Sequence, residues 1–197
     1  MNGNDLTALI GSRICHDLIS PLGAIGNGVE LLSLSGMGAT PEMALIAESI
    51  ENANARIRFF RIAFGAAAQS VQIGAAENAS IIRDMFKNAR TRVTWDVDGS
   101  QERAEVKLAF LMILCLEDTL PRGGEISVSK NGAHWKLDAK GEQLRERSEL
   151  WSFVNQAHTH AHVAASDVHF ALVHDAAQGA DRQVATFIGE DMATVSF

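Results

Sequence analysis

Residues 16–22 read His16-Asp17-Leu18-Ile19-Ser20-Pro21-Leu22. A histidine stands beside a carboxylate, with a proline a little over one turn further on, inside a sequence of helical period. Leu18, Leu22, Ile25, Val29 and Leu32 recur at spacings of four and three, the stripe of a bundle or coiled-coil helix. At roughly 100° per residue, His16 falls roughly 160° from the centre of that stripe. Arg13, Ser20, Gly23 and Asn27 share the histidine's face. That face is polar or small-sided, so another protein's backbone can come close to it. Asp17 lies on the flank. Pro21 removes a backbone donor and crowds the carbonyl one turn back, which is expected to bend or loosen the helix beside His16.

The residue types suit attack on phosphorus. A neutral imidazole is nucleophilic, and its two nitrogens can do different jobs. A carboxylate at the next position can hold the proton on one nitrogen and aim the other. It can also stabilise the positive charge that grows on the ring when phosphate is added. Cys15 falls on the flank of the apolar stripe and reads as a small buried residue rather than a thiol nucleophile.

A second helix follows. Met43, Ile46, Ile50, Ala53, Ile57, Phe60 and Phe64 keep spacings of three and four. Thr40 can cap its start, Pro41 suits the first helical position, and Glu42 favours the positive end of the dipole. Ser33 to Ala39, rich in Gly and Ser, reads as the connecting turn. The outcome is a helical hairpin over residues 1–74 with an apolar seam on each helix. Two helices bury too little alone, so the hairpin is expected to pair with a second copy as a dimeric four-helix bundle.

Residues 75–197 read as a second, α+β region. A helical pattern near Glu77 to Ala89 precedes an alternating strand, Arg92 to Asp98, with Asp98-Gly99 as a turn. An apolar helix near Glu102 to Leu120 stops at Pro121-Arg122-Gly123-Gly124. Two strands, Glu125 to Ser129 and Ala133 to Ala139, are joined by the hairpin signal Asn131-Gly132. A helix near Asp167 to Gln178 follows, and Gln183 to Phe197 reads as two short strands.

The stretch from Arg13 to Leu22 resembles the histidine box of the dimerisation and phosphotransfer domain of sensor kinases. More closely, it is similar to the ChpT-type histidine phosphotransferases of bacterial phosphorelays. The element order of the second region, including a helix ending in a Pro-x-Gly-Gly turn before a hairpin, resembles the ATP-binding domain that follows the histidine helices in kinases. The resemblance implies an α/β sandwich there. In that family an asparagine of the long helix holds magnesium. Counting back six from Pro121 reaches Cys115, and this helix carries no asparagine. The adenine-reading Asp-x-Gly-x-Gly loop and the second glycine-rich loop have no counterpart. Without backbone donors and a metal ligand, a triphosphate has nothing to orient or neutralise it. The region reads as a degenerate ATPase-like domain, a pseudo-ATPase that binds no ATP.

Composition bounds the classes. The formal charge of −7 over 197 residues argues against nucleic acid as the main partner. No apolar run is long enough to span a bilayer, so no membrane association is expected. Two cysteines, Cys15 and Cys115, define no disulfide framework, and a reduced cytoplasmic setting is the expectation. His158, His160 and His162 alternate, and on a helix His158 and His162 would share a face. No cysteine or acidic residue adjoins them to complete a zinc site, and no metal is expected. Arg56, Arg58 and Arg61 read as a solvated face of the second helix, one or two of them within reach of an acidic partner.

The sequence thus predicts a homodimeric histidine phosphotransferase that is itself a phosphoprotein. The resemblance implies that His16 accepts a phosphoryl group from the aspartate of one response-regulator receiver domain and passes it to another. Asp17 would orient it, and Arg13, Ser20, Pro21, Gly23 and Asn27 would form the docking face. The receiver would bring the magnesium, so the chain needs no cofactor of its own. Two alternatives stand beside this reading: a sensor kinase core using ATP, and a non-catalytic dimeric scaffold for response regulators.

Overall fold

The structure is a computed structural model, and it describes residues 3–34, 40–67, 71–155 and 163–197. His158, His160 and His162 lie outside the described residues, as does most of the turn read at Ser33 to Ala39. The chain divides into two compact units, Met1–Ala66 and Ala67–Phe197.

The first unit is a hairpin of α1 (Gly3–Leu34) and α2 (Pro41–Ala63). Thr40 caps α2 as its residue type requires: its hydroxyl oxygen accepts from the Met43 N–H at 3.3 Å, with Pro41 and Glu42 in the first turn. Helix α1 continues through Pro21. Pro21 has no N–H, so the Asp17 carbonyl lacks the donor that a helix would otherwise supply.

The apolar stripe of α1 resolves into two. Cys15, Ile19, Leu22, Gly26 and Val29 are buried or half-buried, at spacings of four and three. A Cβ placed on Gly26 would stand 3.5 Å from Ile50, and one on Gly11 would stand 3.1 Å from the Phe64 carbonyl oxygen. This is the seam against α2. Leu18, Ile25 and Leu32, read from sequence as members of one stripe with Leu22 and Val29, belong to a second stripe with Ile14. These four are 45%, 52%, 41% and 54% exposed. Its centre lies roughly 100° around the helix from the seam. One helix can present only one face to one neighbour, so a single partner covers half of the apolar width. In α2 the burial also runs wider than the seam read from sequence: Ala55, Phe59, Ile62 and Ala63 are buried with Ile57.

The second unit is a two-layer α/β sandwich. Its elements are β1 (Gln72–Ile73), α3 (Ala75–Phe86), β2 (Thr91–Asp96), β3 (Gln101–Glu102), α4 (Arg103–Thr119), β4 (Gly124–Asn131) and β5 (His134–Lys140). After these come α5 (Ser148–Asn155), a 3-10 turn (Ala165–Asp167), α6 (Val168–Gly179), β6 (Ala185–Ile188) and β7 (Met192–Ser196). A five-stranded sheet has the order β2-β4-β5-β7-β6, with β2 parallel to β4 and the rest antiparallel. Short β1 and β3 pair separately. Ile126, Val128, Trp135, Leu137, Ala193 and Val195 point to the buried face under α4 and α6. Arg92, Thr94, Asp96, Glu125, Ser127, Lys136 and Lys140 face water. Period-two alternation along the strands sets this division.

Two details differ from the sequence reading. The β4–β5 register pairs Asn131 with His134, so the tight loop is Gly132-Ala133, with Gly132 at φ +59. Glycine is the residue that takes that backbone without a Cβ clash. Helix α5 was not read from sequence. It is short, and its pattern follows a polar stretch with no strong cap.

Candidate functional site

His16 and its neighbours stand on the exposed side of α1. The His16 side chain is 84% exposed. It lies roughly 160° from the exposed apolar stripe and roughly 100° from the seam. Both apolar surfaces can therefore be covered while the imidazole stays in water. The His16 Nδ1 is 3.1 Å from Asp17 Oδ1. An ionised carboxylate can only accept, so the contact suits the neutral tautomer with the proton on Nδ1 and the lone pair on Nε2. Asp17 is also bound from one turn back, where the Arg13 Nε donates to Oδ2 at 2.7 Å. The Arg13 guanidinium, and then the His16 ring, hold the Asp17 carboxyl below its ordinary value. Asp17 thus stays a carboxylate through the pH range in which a histidine titrates.

The other residues singled out from sequence divide by environment. Ser20, Pro21 and Asn27 are exposed and Gly23 is half-exposed. A Cβ on Gly23 would meet nothing within 4 Å. Glycine in mid-helix costs about 1 kcal/mol relative to alanine. Packing within the hairpin gives no reason for Gly23. Arg13, assigned to the docking face from sequence, is engaged with Asp17 instead of projecting alone. The spacing Arg13 to Asp17 is one helical turn, a signal present in the sequence and not used there. Cys15 is buried on the seam, and burial pushes its thiol up, against the nearby Arg61 charge. It offers no thiolate beside His16. The same proximity brings Arg61 of α2 to the level of Cys15 on α1.

In the second unit, the position counted from Pro121 for the family's metal-binding asparagine holds Cys115. Cys115 is fully buried in α4, and burial first and the Asp118 charge second push its thiol well above the ordinary range. A thiol so placed is no substitute for a magnesium-binding amide facing a phosphate, and the residues present do not fit the metal. Phe170 and Val173 of α6 are fully buried, and α6 packs on α4. Asp118 is held by Arg147 at 2.9 Å. A cavity of about 1160 Å³ does exist beyond Pro121, lined by Arg122, Glu142, Arg145, Glu146, Glu190 and Asp191 among others. Four carboxylates against two guanidiniums disfavour a polyanion there.

What the sequence reading missed is a buried ionic network within the second unit, between α4, the β4–β5 strand pair and Arg182 after α6. Glu105 is 5% exposed. Its Oε2 accepts from Lys130 at 2.8 Å and from Trp135 Nε1 at 3.1 Å, and its Oε1 accepts from Arg182 Nε at 3.0 Å. Burial pushes its carboxyl up, but the bonds from Lys130, Arg182 and Trp135 outweigh burial and hold it below its ordinary value. The partners lie 25 to 77 residues away, so no local spacing announces them. Among the described residues, no group of three or more His, Cys, Asp or Glu side chains is placed to hold a metal. No helix among them is long and apolar enough to cross a membrane.

Residues 75–192 match the family model of the histidine phosphotransferase C-terminal domain. The chain is 42% identical over 149 residues to the protein phosphotransferase ChpT of Brucella abortus (strain 2308), spanning 72% of this chain and 70% of that protein. The solved structure of a bacterial phosphotransferase superposes with TM-score 0.72 and 33% identity, covering 100% of this chain and 97% of that one. Full-length ShkA in complex with AMPPNP matches with TM-score 0.51 and 11% identity, covering 95% of this chain and 44% of that one. At that identity the likeness is one of fold alone. A family model spanning most of the chain and a relative at this identity leave one conclusion: the chain belongs to the histidine phosphotransferase family.

Proposed function

We propose that His16 is the phosphoryl carrier of this phosphotransferase, and that it exchanges the group with receiver domains of response regulators. The observation that carries the reading is the His16–Asp17 pair itself, an exposed imidazole whose Nδ1 faces a carboxylate. A receiver bearing an aspartyl phosphate docks on the face formed by His16, Ser20, Pro21, Gly23 and Asn27. The Nε2 lone pair attacks phosphorus in line. The Nε2–P bond forms as the aspartyl O–P bond breaks, and the electron pair leaves on the receiver's carboxylate. The Nδ1 proton stays in place, and Asp17 faces the imidazolium charge that develops. A second receiver takes the group by the reverse steps. Catalysis is then chiefly positioning and charge stabilisation. Magnesium comes with the receiver.

Gly23, half-exposed on the His16 side of α1, supports the docking face, because it leaves room there for a partner's backbone. The exposed stripe of Ile14, Leu18, Ile25 and Leu32 supports a homodimer. A row of this kind at bundle spacing suits a second copy of the same hairpin, closing four helices around both stripes. The second unit then binds no ATP; the burial of Cys115 and the acidic lining near Pro121 support that part. Membership in a phosphotransferase family favours this reading over a kinase core or an inert scaffold. The test is incubation of the purified chain with phosphorylated receiver domains. Acid-labile label on His16 is the expected result, and label absent from His16 under conditions where the receiver holds its phosphate would reject it.

A further inference from the structure

We infer that Arg13 is a positioning residue for phosphotransfer, acting on His16 through Asp17. The inference rests on the reading of His16 as the carrier. Three side chains form a chain of contacts along one face of α1: Arg13 Nε to Asp17 Oδ2 at 2.7 Å, and Asp17 Oδ1 to His16 Nδ1 at 3.1 Å. Each carboxylate oxygen has one neighbour. The last torsion of an aspartate is broad and nearly two-fold. With His16 alone as partner, the carboxylate plane could turn and the ring would lose a fixed acceptor. The guanidinium on the other oxygen fixes that plane.

Stability does not account for the pair. Arg13 and Asp17 side chains are 77% and 50% exposed, and exposed ion pairs contribute little. The order, with the base one turn before the acid, is also the weaker one on a helix. The same contacts gain strength when a docked protein excludes water from them. Arg13 also lowers the Asp17 carboxyl further below its ordinary value, and the carboxylate faces the Nδ1 proton as the ring becomes positive. In this geometry the guanidinium turns along the helix to Asp17 through its Nε.

The experiment separates the inference from the reading beneath it. First, the ¹⁵N shifts of the His16 ring are followed through a pH titration of the unphosphorylated, full-length chain with no receiver present. The wild type is expected in the Nδ1–H form, Arg13→Ala as a mixture moving towards Nε2–H, and Arg13→Lys in between. Second, single-turnover transfer is measured from a phosphorylated receiver. At saturation Arg13→Ala is expected to be slower by roughly tenfold, the scale of one charge-assisted hydrogen bond, with the half-saturating concentration unchanged. Added to Asp17→Asn, the Arg13→Ala change is expected to slow transfer no further. An unchanged tautomer, or an unchanged saturating rate with weaker receiver binding, overturns the inference and makes Arg13 a docking residue. Wild-type protein that takes no label on His16 overturns the carrier reading instead, whatever the ring nitrogens show.

Discussion

His16 Nδ1 and Asp17 Oδ1 lie 3.1 Å apart on a face of α1 that leaves 84% of the imidazole side chain exposed. The pair is held by adjacent positions on one helix. Removing the ring therefore disturbs no core packing. His16→Ala and His16→Gln are expected to abolish phosphoryl acceptance while leaving circular dichroism and oligomeric state unchanged. Asp17→Asn keeps the nucleophile and loses the charge facing Nδ1, so transfer should slow and not stop. Radiolabel transfer from a phosphorylated receiver checks all three; label retained by either His16 variant removes the residue from its role.

The exposed stripe of α1 makes a prediction about assembly. Leu18→Asp or Ile25→Asp places a charge on a surface that is half open in the protomer. The single chain tolerates it, whereas a closed bundle does not, since an unpaired charge buried there costs several kcal/mol. Light scattering should find a dimer for the wild type and a folded monomer for either variant. Ile57→Asp, by contrast, strikes a residue already buried within the protomer, and it should lower the melting temperature as well. A wild-type chain that is monomeric at micromolar concentration would contradict the dimer.

Glu105 predicts a pH-dependent share of stability in the second unit. Its folded pKa is depressed below the unfolded value of about 4.3. The sign follows: its contribution is fully present above the unfolded value and is lost as pH falls through the folded one. Glu105→Gln leaves Lys130 and Arg182 without their carboxylate. Lys130 is largely buried and Arg182 partly so. The cost should be about 2 to 3 kcal/mol at neutral pH, below the full value for a deeply buried pair. Thermal melts of both proteins should show a gap that is wide at pH 7 and narrows as pH falls below about 4. A gap that persists undiminished at pH 3 would mean that another group carries the effect.

Nucleotide binding is the fourth test. Cys115 is wholly enclosed, and four of the six charged residues around the nearby cavity are acidic. Calorimetry with ATP and magnesium is expected to show no binding below millimolar concentration. A micromolar dissociation constant, or autophosphorylation of His16 from ATP, would restore the kinase alternative.

Much of the molecule was legible because its signals are local. The capping run Thr40-Pro41-Glu42 starts α2 where its chemistry says, and the alternation in β4 and β5 gives strands under a tight turn. The outward angle of His16 follows from helical period and needs no knowledge of neighbours. The sequence reading failed where a residue's environment depends on a partner that local spacing cannot reveal. The five stripe residues of α1 look alike in sequence, yet Leu22 and Val29 are half-buried while Leu18, Ile25 and Leu32 are exposed.

By itself, the sequence determined the two-part architecture, the face that carries His16, the carboxylate beside it and the absence of the glycine loops a nucleotide needs. Each rests on residue type and on a period of 3.6 or 2, which the chain carries without folding. Only tertiary structure decided that the α1 stripe is two stripes, that Cys115 is sealed in the core, and that Glu105 gathers Lys130, Trp135 and Arg182. Those outcomes depend on distances between groups far apart in the chain or on which of several rotamers finds a partner, and packing alone sets them.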